Sequence, residues 1–386
     1  MTKDNLRVKD EVILELEGLE QLLVVLKNKR YKTLGPMING RVIVYDELKS
    51  ISDLPVGWND LQGAGRYRLK KGANESLFAY AVGPYSWKNF LHPSAVRLWK
   101  AKWEGAGFRV VPSKEQIPKY AFIGVRPCEL SAIGILDMVF NTDKYSDPVY
   151  NSRRKKVFLV AVNCTSPGGT CFCASVKTGP KAGPGFDIAL TEIMDAGHHY
   201  FLAEIGSRMG AKILGEVPQR EAGIKEKTAA KNLMEKAATQ MGRSLKTSNL
   251  RTIFDEHFED PSWEEVAKRC LTCGNCTMVC PTCFCWNVEE ASALDGTYAE
   301  RWRRWDSCFS RDFSYIHGGS IRFSEHARYR QWITHKLVTW VDQFKTLGCV
   351  GCGRCITWCP VGIDITEEAK SILEKEGNRP AQKREC

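Results

Sequence analysis

Two stretches of the chain repeat one cysteine pattern: CLTCGNCTMVCP at residues 270–281 and CVGCGRCITWCP at residues 349–360. In both stretches the first three cysteines are separated by pairs of residues, so their thiolates can wrap one corner of a metal–sulfur cube. The fourth cysteine enters a helix that points away from that corner, and the proline after it ends the ligand loop. The repeat therefore predicts that cysteine-bound metal clusters organise this part of the chain.

The spacing C-x2-C-x2-C-x3-C followed by proline is that of bacterial ferredoxins with two 4Fe-4S clusters, in which the fourth cysteine of each run ligates the cluster of the other run. We therefore expect two 4Fe-4S clusters with crossed ligation. The predicted ligand sets are Cys270, Cys273, Cys276 with Cys359, and Cys349, Cys352, Cys355 with Cys280. The two copies lie farther apart than a minimal ferredoxin hairpin requires, and the residues between them have a helical pattern, which favours a helical ferredoxin-like bundle.

The use of the 16 cysteines among the 386 residues depends on the compartment of the protein. Residues 1–10 alternate in charge, and no apolar run reaches the length of a membrane-spanning helix, so we expect a cytoplasmic protein that does not enter the membrane. Thiols stay reduced in the cytoplasm, which argues against a disulfide network. Paired C-x2-C motifs also build structural zinc sites, but the crowding of four cysteines into each stretch favours iron–sulfur clusters.

Hydrophobic periodicity divides the chain into two domains and a connector. Residues 1–217 predict a mixed α/β domain, residues 218–260 a helical connector rich in Lys, Glu and Ala, and residues 261–386 an all-helical ferredoxin-like domain. The expected fold class is therefore α+β. Predicted strands cover residues 41–45, 77–82, 108–112, 120–125, 156–162, 186–190 and 199–205, and predicted helices cover residues 11–27, 94–103, 129–140 and 326–344.

A third group of cysteines follows two predicted strands of the first domain. Cys128 comes after the strand at 120–125, and Cys164, Cys171 and Cys173 come after the strand at 156–162. If the two strands are neighbours, the loops that follow them meet at one edge of the sheet, where another cluster could be held. The alternative is that some of these cysteines pack as small apolar residues, and the C-x-C spacing suggests that one of Cys171 and Cys173 is not a ligand.

Four further cysteines stand outside these groups. Cys283, Cys285 and Cys308 lie close in sequence to the first repeat, where thiols can ligate, donate hydrogen bonds to cluster sulfurs, or pack. We favour packing around a cluster, because burial and hydrogen bonds near the sulfurs tune its reduction potential. Cys386 is expected to be exposed and incidental.

Other cofactors and ligands find little support in the sequence. The chain has no G-x-G-x-x-G after a strand and no G-x-x-x-x-G-K-[ST], so nothing marks a dinucleotide or phosphate site. The formal net charge is +10, but the basic residues are spread along the chain, and we expect no nucleic-acid partner. Thiolates that bind iron would offset part of this positive charge.

Several runs together resemble one family. They are GPYSWK at 83–88, GVRPCEL at 124–130, NC at 163–164 with CFCAS at 171–175 and TGP at 178–180, VCPTCFC at 279–285, RWDSC at 304–308, and the whole second repeat. The chain is similar to the iron–sulfur beta subunit of cytoplasmic sulfhydrogenases, which are NADP-linked nickel–iron hydrogenases, and to the related iron–sulfur subunit of anaerobic sulfite reductase. The similarity extends through nearly the whole chain and is specific in this combination.

The resemblance implies a non-catalytic, anaerobic electron-transfer subunit. It would relay electrons between a flavin subunit that oxidises NAD(P)H and the catalytic subunit of a hydrogenase, or of a sirohaem sulfite reductase, in a direction the sequence does not define. It carries over the eight ferredoxin-type cysteines directly and the first-domain cysteines less directly. Two rival hypotheses remain: a flavin-binding iron–sulfur reductase with its own substrate, and a cluster-containing regulatory protein for nucleic acid.

Overall fold

The computed structural model describes residues 6–112, 116–142, 144–195 and 197–377. The strands are β1 (Glu11–Glu15), β2 (Tyr31–Asn39), β3 (Val42–Glu47), β4 (Trp58–Gly63), β5 (Arg66–Lys71), β6 (Ala95–Glu104), β7 (Gly107–Pro112), β8 (Lys119–Val125), β9 (Phe158–Val162), β10 (Ile188–Asp195), β11 (His198–Ile205), β12 (Arg220–Glu221), β13 (Trp286–Ser292), β14 (Tyr298–Trp305), β15 (Tyr315–Ile316) and β16 (Gly319–Ser320). The α-helices are α1 (Leu16–Asn28), α2 (Lys88–Leu91), α3 (Pro127–Phe140), α4 (Pro148–Arg154), α5 (Arg208–Leu214), α6 (Ile224–Thr239), α7 (Leu250–Glu256), α8 (Ser262–Arg269), α9 (Asn275–Met278), α10 (Glu325–Thr334), α11 (Trp340–Phe344), α12 (Arg354–Thr357) and α13 (Ile365–Gly377). A 3-10 turn at Ile51–Asp53 and a π-helical turn at His335–Thr339 complete the elements.

An eight-stranded sheet forms the core of the first part of the chain, in the order β12-β1-β11-β10-β9-β8-β2-β3. Its middle strands β2, β8, β9 and β10 run parallel, and the strands outside them pair antiparallel. All five residues of β9 are buried, as in a parallel strand that is covered on both faces. Phe158 and Val160 pack in the core that contains α1 and α5, whereas Leu159 packs in the core that contains α3.

Strands β8 and β9 are neighbours, which confirms the condition under which the loops of the third cysteine group meet. The two strands pair in parallel, with Ala121 opposite Phe158. The chain therefore leaves both strands at the same edge of the sheet, where β8 leads into α3 at Cys128 and β9 leads to Cys164. The predicted strands at 41–45, 108–112, 120–125, 156–162, 186–190 and 199–205 are confirmed apart from shifts at their ends.

The expectation of an all-helical region from residue 261 onward is wrong. Strands β13 and β14 form a hairpin, and β14 pairs with β6 from the first part of the chain in the sheet β13-β14-β6-β7. All seven residues of β13 are exposed, and both strands are rich in charged residues, so the sequence lacks the apolar alternation that marks a strand. Asp295 and Gly296 lie in the hairpin connection, a common turn pair that was available as a signal.

Long-range pairing also explains the other errors. The predicted helix at 94–103 is β6, which pairs with both β7 and β14. The predicted helix at 11–27 begins as β1 and becomes helical at Leu16, because β1 joins β11 in the large sheet. The predicted strand at 77–82 is irregular chain in which the backbone N–H groups of Leu77 and Phe78 donate to the carboxylate of Glu192 instead of a neighbouring strand.

The helices of the second part of the chain surround a separate apolar core. Residues of α7, α8, α10 and α13 contribute to it, and several cysteines of both repeats pack against it. The predicted helix at 326–344 is confirmed as α10, the π-helical turn and α11, and it begins where Ser324 accepts a hydrogen bond from the N–H of Ala327. This core therefore supports both cysteine repeats from one side.

Candidate metal centres

The two cysteine repeats fold into matching loops, which we call the first loop (residues 270–281) and the second loop (residues 349–360). In each, a left-handed glycine, Gly274 with φ 71° or Gly353 with φ 72°, precedes a short helix. The N–H of Thr272 donates to the sulfur of Cys270 over 3.4 Å, and the corresponding N–H of Gly351 donates to Cys349 over the same distance. Donors aimed at sulfur favour the thiolate form that metal ligation needs.

The first predicted ligand set lies around one cavity. Cys270, Cys273 and Cys276 of the first loop line it together with Cys359 of the second loop. Aromatic side chains of Phe309, Tyr329 and Trp332 close its inner wall. The structure therefore brings together the four sulfurs that crossed ligation requires, and Cys355 of the second set also reaches this cavity.

The second predicted set is more deeply buried. Burial raises the pKa of Cys349 to about 12, and the neighbouring Cys352 and Cys280 contribute to this rise. Burial likewise raises the pKa of Cys355, with further contributions from Cys349, Cys352 and Cys280. The neighbouring Cys283 thiol and the charge of Lys336 lower the pKa of Cys280. Cys349, Cys352 and Cys355 repel one another as thiolates, so their deprotonation needs a further positive centre. Iron supplies such a charge, and the donor set fits a thiolate-bound cluster.

The third cysteine group also lies together. Cys128, Cys164, Cys171 and Cys173 are all buried and line one cavity, and Cys352 of the second loop forms part of its wall. The loops that follow β8 and β9 thus meet as the strand order implies. The guanidinium of Arg126 lines the same cavity and donates to the carbonyl of Phe78 over 2.7 Å.

The charge of Arg126 supports an anionic group in this third cavity. Its side chain is buried, and its Nε has no hydrogen-bond partner among the residues that the structure describes. The nearby thiolate of Cys164 favours the charged form of Arg126, and Arg126 in turn opposes the rise that burial causes in the pKa of Cys164. A buried cation with an unused donor fits a thiolate-bound cluster better than a packed group of neutral thiols.

Two buried lysines near the first loop were not identified from the sequence. Lys336 is 3% exposed, and its Nζ donates to the hydroxyl of Thr282 over 2.8 Å. Lys88 is 2% exposed, donates to the carbonyl of Cys283 over 3.0 Å, and lies 3.8 Å from the ring centroid of Trp305. Among the described residues, neither ammonium forms an ion pair with a carboxylate. Both charges interact with Cys280 and Cys283, and neither lysine belongs to a cysteine motif that could have revealed it.

The remaining described cysteines form a separate group. Cys283, Cys285 and Cys308 line an open cavity beside Lys336. The neighbouring Cys308 thiol lowers the pKa of Cys285 to about 7, and Cys285 in turn raises that of Cys308. Cys283 neighbours Cys280 of the second predicted set, which raises the pKa of Cys283. Cys386 lies outside the described residues.

Within the described ranges, no group of three or more Cys, His, Asp or Glu side chains is arranged around a single metal ion. In those ranges, too, no helix has both the length and the apolar character needed to cross a bilayer.

Comparison with known proteins agrees with the arrangement of these loops. Residues 269–363 match the family model described as a 4Fe-4S dicluster domain. The chain is 36% identical to the sulfhydrogenase 2 subunit beta of Pyrococcus furiosus over 259 residues, which cover 66% of this chain and 75% of the relative. No solved structure matches. The protein is therefore an iron–sulfur protein with a 4Fe-4S dicluster domain, and it belongs to the sulfhydrogenase beta subunit family.

Proposed function

We propose that this chain is the electron-transfer subunit of a cytoplasmic nickel–iron hydrogenase complex. It would relay electrons between a flavin subunit that oxidises NAD(P)H and the catalytic hydrogenase subunit, without a substrate of its own. Membership of the sulfhydrogenase beta subunit family and the 4Fe-4S dicluster domain support this role. The anaerobic sulfite reductase branch is the alternative, and the identity of the catalytic partner distinguishes the two.

The proposed ligands form three sets. Two 4Fe-4S clusters would be held by the crossed sets from the two loops, and the third by the buried group that follows β8 and β9. The ligand sets are Cys270, Cys273, Cys276 and Cys359; Cys349, Cys352, Cys355 and Cys280; and Cys128, Cys164, Cys171 and Cys173. Such clusters accept and donate single electrons, with potentials set by hydrogen bonds and burial around the sulfurs. Here the Thr272 and Gly351 amides and the buried Lys336 would provide that control.

The observation that carries the proposal is that cysteines of the second set also line the cavities of the other two sets. Cys355 belongs to the second set and lines the cavity of the first set. Cys352 belongs to the second set and lines the cavity of the third group. The second set therefore lies between the other two, which supports a relay across the chain instead of isolated structural sites.

The test begins with anaerobic purification of the complex. We expect roughly twelve irons per chain if all three sets are loaded and roughly eight if only the two loops are, together with paramagnetic resonance from reduced clusters. A flavin subunit should co-purify together with a nickel–iron large subunit. A sirohaem subunit would instead assign the sulfite reductase branch, and flavin bound to this chain alone would favour the independent reductase.

The crossed ligation has its own test. Cys359→Ser should remove the cluster held by Cys270, Cys273 and Cys276, although the exchanged residue lies in the second loop. We expect a loss of about four irons per chain, with the resonance of the remaining clusters retained. Cys386→Ser removes a thiol outside the proposed sets and serves as the control. An intact first cluster in Cys359→Ser would contradict the crossed arrangement.

A further inference from the structure

The hairpin β13–β14 brings together two cysteines that lie outside the proposed ligand sets. Cys285 comes directly before β13, and Cys308 follows β14 after a short turn. Trp286 pairs with Trp305 in the hairpin, and the N–H of Asp306 then donates to the carbonyl of Cys285 over 3.0 Å. The antiparallel register thus places Cys285 opposite Asp306, two residues before Cys308, and both cysteines line one cavity. The two thiols influence each other: the neighbouring Cys308 lowers the pKa of Cys285, and Cys285 raises that of Cys308.

This pair lies on the wall of an open cavity. The cavity has a volume of about 360 Å³, within the range of small-molecule sites. Cys283, Phe284, Trp286 and Phe313 supply sulfur and apolar contacts, and the side chains of Arg322 and Lys336 supply positive charge. None of the described residues that line the cavity is acidic. A ligand that enters it would therefore meet two cysteine sulfurs in a cationic, partly apolar pocket.

We propose that Cys285 and Cys308 are a reactive dithiol that exchanges with small, negatively charged disulfides in this cavity. The geometry supports this role in two ways. Cys285 and Cys308 line the same cavity beside the paired hairpin residues Trp286 and Trp305, and each shifts the pKa of the other, so a disulfide between them needs only a local movement. The charge of Lys336 favours the Cys285 thiolate against the opposing charge of Asp306, and Lys336 and Arg322 together favour an anionic ligand.

The exchange is chemically balanced without any electron from a cluster. The Cys285 thiolate attacks one sulfur of R–S–S–R, forming a mixed disulfide and releasing one R–S⁻. The Cys308 thiol then loses its proton and attacks the Cys285 sulfur, which breaks the mixed disulfide, forms the Cys285–Cys308 disulfide and releases the second R–S⁻. The cysteine pair is oxidised by two electrons, and the small disulfide is reduced to two thiols. The reverse reaction, driven by excess R–SH, restores the dithiol.

The test uses the anaerobically purified, cluster-loaded complex and 3,3′-dithiodipropionate as the anionic probe. After free thiols are alkylated, mass spectrometry should detect a peptide in which Cys285 and Cys308 are joined, and about two thiols should be released per chain. Cystamine, a cationic disulfide of similar size, should react at least about tenfold more slowly if the pocket charges act as proposed.

Two variants separate the steps. Cys308→Ser should stop at the mixed disulfide on Cys285, detected as the added mass of one mercaptopropionate. Cys285→Ser should abolish both products, and Cys386→Ser should leave both unchanged. Iron content, measured on the same samples, should equal that of the unaltered complex in all three variants.

Two outcomes would contradict the proposal that Cys285 and Cys308 are a reactive dithiol. A loss of about four irons per chain in Cys285→Ser and Cys308→Ser would identify the pair as ligands of another cluster. Unchanged iron with no joined peptide would identify them as packed thiols. Either result is distinguishable from a failure of the relay itself, which would appear in the unaltered complex as missing cluster resonance or missing partner subunits.

Discussion

The first and second loops have the same cysteine spacing and different surroundings. In the first loop Cys273 is exposed, and Leu271, which follows its first cysteine, is 60% exposed. In the second loop Cys352 is buried, and Val350, the counterpart of Leu271, is 1% exposed. Sequence spacing thus defines how sulfurs are presented to a cluster, whereas the rest of the chain determines how far each loop is shielded from water.

The second loop is shielded because the first part of the chain packs over it. The N–H of Phe172 donates to the carbonyl of Gly351 over 2.8 Å, and the hydroxyl of Thr178 donates to the carbonyl of Val350 over 2.7 Å. The guanidinium of Arg354 pairs with the carboxylate of Glu129, with both side chains fully buried. The first loop has no counterpart of this ion pair among the described residues.

Removal of the buried ion pair should produce the largest difference between the loops. Among the described residues, Arg354→Ala leaves the buried carboxylate of Glu129 with hydrogen bonds only from Ser86 and the N–H of Trp87. We expect the free energy of unfolding to fall by about 3–5 kcal/mol, measured by urea denaturation under anaerobic conditions. Asn275, the counterpart of Arg354 in the first loop, donates to the carbonyl of Trp358.

The matched variant is therefore Asn275→Ala. It removes one hydrogen bond and should cost about 1 kcal/mol. Equal losses for the two variants would show that the shielding of the second loop does not depend on the Arg354 ion pair.

Adding a methyl group to the second loop by Gly351→Ala should have the next largest effect on the free energy of unfolding. The Cβ of Gly351→Ala would lie 2.7 Å from the backbone nitrogen of Cys173, closer than packed atoms allow, and the backbone φ of 61° adds strain. We expect a loss of about 1–3 kcal/mol in the same denaturation experiment. Thr272, the counterpart in the first loop, carries a side chain at φ 48°. Thr272→Ala should change stability by less than about 0.5 kcal/mol, and a comparable loss there would contradict the difference in packing.

A third pair of variants, Val350→Ala and Leu271→Ala, tests how much the burial of an apolar side chain stabilises each loop. Val350→Ala removes two buried methyl groups and should lower the free energy of unfolding by about 1.5 kcal/mol. Leu271→Ala alters a mostly exposed side chain and should change it by less than about 0.5 kcal/mol. If the leucine variant were the less stable of the two, the first loop would have to be covered by another part of the complex.

The smallest expected difference is in thiol access. In metal-free, reduced protein, Cys273 should react with N-ethylmaleimide at least about tenfold faster than Cys352, because it is exposed and Cys352 is buried. Quantitative mass spectrometry after short pulses of reagent measures both rates. Unfolding in urea should abolish the difference, and equal rates in the folded protein would contradict it.

Local spacing and strand order explain what could be predicted from the sequence. The C-x2-C-x2-C-x3-C runs determine their own loop geometry, so the meeting of Cys359 with the first loop followed from pattern alone. The buried, β-branched character of β8 and β9 identified them as strands, and their adjacency brought Cys128 and Cys164 together. These features depend on short segments whose periodicity is strong.

The features that were missed depend on distant partners. Strand β6 has a helix-like pattern, and it becomes a strand because β14, from the far side of the connector, pairs with it. Arg354 stands inside a recognised motif, but its importance comes from Glu129 in α3. Lys88 and Lys336 can affect the cysteines only because folding buries them nearby. No local sequence pattern predicts such a contact.

The pairing of β6 with β14 has a consequence for biosynthesis. While the ribosome is still making the connector, β6 has β7 on one side and an open row of backbone donors and acceptors on the other. That row is a template for unwanted association between nascent chains until β14 emerges and covers it. The sheet that contains β6 is thus complete only after the first cysteine loop has been synthesised, because β13 and β14 follow that loop in the chain.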